Sequence, residues 1–203
     1  MAGKFVLILF LIIFAAGGYF FYTKLAGKPL IPKMTMEDNL KPAAGEDSAA
    51  SNIGSSFALV DQDGKKVSDQ DFKGKKLLVF FGFTHCPDIC PVSMAVITEV
   101  MNELETENVS NVQPLFITVD PERDTPAVLK EYLKDYHHSF EGLTGPKDET
   151  EKIEKGYKVF AEKTGDNVGH SDLIYYMDKN GQFISHFSRD NAPEDIVDYI
   201  TSH

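Results

Sequence analysis

Apolar positions fall into one long block, two shorter runs and several helix-spaced stripes, separated by polar turns. The block comes first: residues 5–22 (FVLILFLIIFAAGGYFFY) carry no charge and are bracketed by Lys4 and Lys24. Eighteen such residues reach across a hydrocarbon core as a helix. The aromatic run Tyr19 to Tyr22 reads better as an interfacial belt than as a cleavage region, although Ala15-Ala16-Gly17 loosely offers a small-residue site. Residues 1–33 are therefore read as a transmembrane anchor and its flank. Residues 34–52 (MTMEDNLKPAAGEDSAASN) have almost nothing to bury and read as a flexible linker. A folded domain is expected over 53–203.

Within that domain, Phe57 to Val60, the turn Asp61-Gln62-Asp63-Gly64 and Lys66 to Ser68 predict a short hairpin. Leu77 to Phe83 (LLVFFGF) and Gln113 to Val119 (QPLFITV) are near-continuous apolar runs, as strands buried on both faces require. A helix is expected from Pro91 to Glu105, with Met94, Ile97, Val100, Met101 and Leu104 on one side. A second should open at Thr125-Pro126 and run to Tyr136, and a more polar third should cover Lys147 to Phe160. Leu173 to Met177, the turn Asp178 to Gly181 and Phe183 to Phe187 predict another hairpin, followed by a helix over 193–200. Strand, helix, strand, helix, hairpin and helix describe an α/β, thioredoxin-like sandwich. Ligands on such sheets favour the carboxyl ends of the strands.

Composition is ordinary for a globular protein, with 42% apolar and 25% charged residues, and two cysteines cannot form a disulfide scaffold. The net charge is −11 and no acidic residue precedes Glu37, so the domain is more acidic than the whole. A surface of that sign repels phosphate backbones, which argues against nucleic-acid partners. It attracts cations and basic protein surfaces.

Both cysteines lie just past the first central strand, in Thr84-His85-Cys86-Pro87-Asp88-Ile89-Cys90-Pro91. Three intervening residues let both sulfurs converge at a helix N-terminus, where free amides and the helix dipole favour thiolate. Two thiolates suit Cu(I) or Zn(II) but want a third donor. The alternatives from residues alone are a structural disulfide, a pair of buried thiols or a redox dithiol, whose usual thioredoxin spacing has two intervening residues. Asp88 reads most simply as a helix cap. His85 could tune the adjacent thiolate or pack, and His137, His138, His186 and His203 read as solvated side chains. His137 and His138, placed at a helix end, would point about 100° apart and could not easily chelate together.

The run Phe81 to Pro91 (FGFTHCPDICP), Asp120 to Pro126 (DPERDTP) and Gly169-His170-Ser171 together resemble the Sco (SenC) family of thioredoxin-fold, copper-binding assembly factors for cytochrome c oxidase. The resemblance spans residues 53–203. It implies that Cys86, Cys90 and His170 bind one copper ion, Cu(I) or Cu(II), per domain. His85, Asp88 and Asp120 would lie around the ligands, with the Asp120 to Asp124 turn shaping the metal loop or a partner surface. Gly169 stands where the family commonly has Asp. The implied partner is cytochrome c oxidase subunit II, whose dinuclear copper centre would be assembled, with an upstream copper donor or thiol reductant. The implied place is the bacterial inner membrane, single-pass, with the C-terminal domain in the periplasm; no transit peptide is visible in the leader. A metallochaperone rather than an enzyme is expected, the alternative being a metal-free thiol-disulfide oxidoreductase acting on partner cysteines. A thiol peroxidase would instead form sulfenic acid at Cys86 or Cys90.

Overall fold

The computed structural model describes residues 53–159, 161–164, 167–170 and 172–203, of which 161–164 and 167–170 are described by backbone alone. The expected anchor and linker lie outside the described residues. None of the described helices is long and apolar enough to cross a membrane.

Seven strands form one sheet in the order β2-β1-β5-β4-β3-β8-β9. β1 (Ala58–Asp61) and β2 (Lys66–Ser68) make the expected first hairpin. β3 (Lys76–Gly82) and β4 (Val112–Thr118) are central and parallel, and β4 continues in parallel to β5 (Glu141–Thr144). Two further pairings are antiparallel: β8 (Ile174–Met177) lies against β3, and β9 (Phe183–Phe187) lies against β8. A separate two-stranded unit pairs β6 (Ala161–Thr164) with β7 (Asn167–His170).

Strand alternation sorts the core into two layers. Leu78, Phe80, Phe116, Ile174 and Tyr176 face a layer completed by the helices α1 (Ile89–Thr106), α2 (Pro126–Tyr132) and α4 (Pro193–Ser202). Leu77, Val79, Phe81, Leu115 and Ile117 face the other layer, which includes Ile153 of α3 (Lys147–Gly156). Every residue of β4 is buried, which is why its sequence reads as an apolar run. Pro114 is tolerated there because the β4–β5 ladder begins only at Leu115 opposite Glu141.

Several boundaries differ from the pattern. α1 starts two residues before Pro91, which takes the third helical position where its missing N–H has no intrahelical partner to lose. α2 ends at Tyr132 and gives way to a 3-10 turn, Leu133–Asp135. Tyr136 is extended, so His137 and His138 sit outside any helix and the angular argument against their joint ligation does not apply. Nor is His137 solvated: it is buried, receives the hydroxyl oxygen of Thr98 as acceptor for its N–H and places Nδ1 2.7 Å from Ser139 Oγ. α3 stops at Gly156, short of Phe160, because Lys158 turns left-handed (φ 55°) and Val159 N–H closes onto the Glu154 carbonyl at 2.8 Å; Gly156 itself docks on the chain entering β1. Gly54 N–H donates to its carbonyl at 3.0 Å, and a Cβ there would lie 2.4 Å from that of Ser55. β5 and the β6–β7 pair have no counterpart in the expected pattern, and His170, expected next to a loop, closes β7.

Candidate metal and thiol site

β3 delivers the chain to the carboxyl edge of the sheet, where Cys86 N–H turns back to the Phe83 carbonyl at 3.1 Å. α1 begins within three residues. Asp88 holds its N-cap position, but the side chain is exposed and makes no cap hydrogen bond, so the expected cap is not formed by the carboxylate. The Cys86 sulfur accepts in its place, taking the Cys90 N–H at 3.4 Å. A cysteine thereby serves as a helix-terminal acceptor, and the two sulfur-bearing residues are held within one turn of each other.

The pair is asymmetric. Cys86 is 9% exposed and Cys90 is wholly buried, and both are free thiols. Burial pushes the Cys90 thiol far up, with the contact to Cys86 adding to the shift and a backbone hydrogen bond near Phe83 opposing it. Burial at Cys90 thus works against the thiolate that a helix N-terminus favours. A metal at Cys90 must displace a proton. Gly82 makes the close approach possible: a Cβ there would stand 2.9 Å from both Cys90 Sγ and the Phe116 ring.

The loop is held from below by Asp124, which is fully buried. Its carboxylate accepts Thr84 N–H at 3.0 Å, Thr84 Oγ1–H at 2.6 Å and Thr118 Oγ1–H at 2.7 Å, so the ends of β3 and β4 share one acceptor. His85, half-exposed, has Nδ1 3.0 Å from Thr84 Oγ1 and 3.9 Å from Asp124 Oδ1. Asp120, also buried, pairs with Arg123, whose guanidinium lies 5.9 Å over the Phe83 ring. From the acidic turn, Asp124 holds the cysteine loop through Thr84, and Arg123 covers the ring of Phe83. The signal of Asp124 in the sequence was only membership of the turn. Gly82 was legible as a glycine inside an apolar strand, a sign of close approach.

His170 closes β7 opposite Ala161. Ile174 opens β8 opposite Phe80, and the pairing is antiparallel, so β8 starts at the edge where β3 ends. Four chain steps separate His170 from Ile174, a reach of at most roughly 15 Å. The His170 backbone therefore lies within that reach of the start of β8.

Beside the Asp120 turn lies a cleft of about 340 Å³ lined in part by Asp120, Glu122, Lys147, Glu151 and Glu154. Burial, then the charge of Glu151, lifts the Glu154 carboxyl to about 7.

These features define an α/β protein of thioredoxin-like fold that presents a loop with two buried cysteines at the carboxyl edge of its sheet. A family model described as SCO1/SenC matches residues 45–203, and the chain belongs to that family. An SCO2-like protein of Rickettsia felis is 39% identical over 181 residues, covering 85% of this chain and 82% of its own. The crystal structure of Arabidopsis thaliana ScoI with copper bound superposes with a TM-score of 0.71 at 35% identity, covering 74% of this chain and 96% of that one. BsSco, a Sco family member of the cytochrome c oxidase assembly proteins in which a disulfide switch was identified, gives a TM-score of 0.66 at 32% identity over 74% of this chain and 93% of its own.

Asp124→Asn should destabilise the protein by about 1–3 kcal/mol, because the amide presents N–H groups to donors that need an acceptor; the shift is read from the denaturant midpoint. Glu154 carries a pH test. Its raised carboxyl stabilises the fold fully below its unfolded value near 4.5, and that contribution is lost as pH rises through about 7. Glu154→Gln should therefore melt higher than wild type at pH 8 and match it near pH 4 in thermal scans.

Proposed function

We propose that this chain is a membrane-anchored copper chaperone and thiol-redox factor, in which Cys86, Cys90 and His170 hold one copper ion and pass it to the dinuclear copper centre of cytochrome c oxidase subunit II. The observation that carries the reading is the pairing of two sheltered sulfurs within one helical turn, Cys86 Sγ accepting the Cys90 N–H. Soft thiolates with an imidazole match copper. The copper-bound Arabidopsis relative supports the metal, and the assembly role given for BsSco supports the destination.

Loading begins from the reduced pair, since a disulfide has no thiolate to offer. Copper supplies reversible one-electron chemistry when bound. The chain supplies two sulfurs in fixed register, releases the Cys90 proton on loading, and limits water by burying that sulfur between the first turn of α1 and Gly82 of β3. Residues 5–22 anchor the chain once in the bacterial inner membrane, residues 34–52 act as tether, and the domain works in the periplasm. The lysine count around the apolar segment does not set that orientation; the destination does.

A second reading, reduction of partner cysteines without metal, is favoured by the disulfide switch of BsSco and by the presence here of two free thiols four residues apart. The full chain with reduced thiols, titrated with Cu(I) and Cu(II) and followed by sulfur-to-copper charge-transfer absorption, separates the two. One tight equivalent that His170→Ala loses is the expected result; binding indifferent to His170, or none, transfers the assignment to the reductase. In spheroplasts, added protease should degrade the domain while leaving the anchor segment with the membrane, and full protection would refute the orientation.

A further inference from the structure

At the far end of α1 from the cysteines, three donors converge that the copper reading does not use. Glu105, His137 and His138 each offer a ligand atom within 4.8 Å of the others, the one such grouping of three or more His, Cys, Asp or Glu among the described residues. Glu105 and Cys90 are fifteen residues apart on one helix, about 22 Å along its axis. The two places cannot share an ion.

The cluster is partly built. His137 is only 7% exposed and held by two neighbours, its N–H on Thr98 Oγ1 at 3.3 Å and its Nδ1 2.7 Å from Ser139 Oγ. Nε2 faces Glu105 Oε2 at 3.3 Å. The His138 ring lies against it, centroids 4.4 Å apart. Ser139 N–H donates to Nδ1 at 3.3 Å, so without an ion Nε2 carries the ring proton toward Glu105 Oε2; an ion at Nε2 takes the other tautomer, in which Nδ1–H donates to Ser139 Oγ and Nε2 offers its lone pair. Donors around a tetrahedral ion with bonds near 2.0 Å stand about 3.3 Å apart, and the exposed Glu105 and His138 side chains have the freedom to close that distance.

Electrostatics points the same way from an independent feature. The last turn of α1 contains no basic residue, holds Glu103 and Glu105, and is followed by Glu107 as C-cap. Carboxylates at the negative end of a helix dipole are unfavourable, and cations are stabilising there.

We propose that Glu105, His137 and His138 form a second metal site, for a borderline divalent ion of the zinc class, that ties the C-terminal end of α1 to the chain entering β5. Two imidazoles and a carboxylate leave one position for water on a four-coordinate ion. Bonding of this set is distinct from that of two thiolates, so a soft monovalent ion is not held here.

The test uses the full chain carrying Cys86→Ala and Cys90→Ala, titrated with Zn(II) by calorimetry and with Co(II) by its visible absorption. One equivalent should bind and raise the melting temperature. His138→Ala, at an exposed residue, and Glu105→Gln should each weaken binding about 10-fold or more and abolish the thermal shift. Should the double alanine variant fold poorly, the wild-type chain oxidised at Cys86 and Cys90 takes the same titration. Absence of stoichiometric Zn(II) binding, or binding that both variants leave unchanged, overturns the proposal.

Discussion

A buried carboxylate between two parallel strands is the constraint on which the functional edge depends. Asp124 has no exposure, and three donors converge on it: the backbone and hydroxyl of Thr84 beyond β3, and the hydroxyl of Thr118 at the end of β4. Each of those groups would be costly to bury alone. Satisfied together, they lock the exit of β3 to the exit of β4 and fix where the chain turns toward Cys86. The start of α1, the seat of Cys90 on Gly82 and the stance of His85 follow from that junction.

The central part of the molecule was legible because double-sided burial leaves little freedom in composition. β3 and β4 must be apolar almost throughout, and the cysteines fall just past the first of them. Outer elements left fainter traces. β5 is four residues long, with Gly142 beneath Leu129 and Leu133 of the helical layer, so it shows no hydrophobic run. The β6–β7 pair is polar and reads as a loop. His137 looked like a surface residue because its partners, Thr98 and Ser139, are ordinary polar residues, one of them distant in sequence. Asp120 and Asp124 are indistinguishable as letters in one acidic turn. Only the tertiary arrangement gives one an arginine and the other the threonines.

α1 organises two kinds of donor by its polarity. Its positive end carries sulfur and the loop that shelters it; its negative end carries carboxylates beside a pair of imidazoles. Softness of the ligand therefore changes along a single rigid element, and two ions of different character can be sorted by one helix without competing for the same atoms. The acidic balance of the domain raises the local concentration of cations at both ends, an effect that salt weakens.

The unequal burial of the two sulfurs gives the dicysteine loop a front and a back. A visiting thiol or metal carrier meets Cys86, at the margin of the surface, before anything else; Cys90 is sealed behind it by the sheet and the helix. Under the proposed function, that difference in burial would order the handover. The outer sulfur would then make and break the intermolecular bond and the inner one complete or resolve it from within, a direction set by packing.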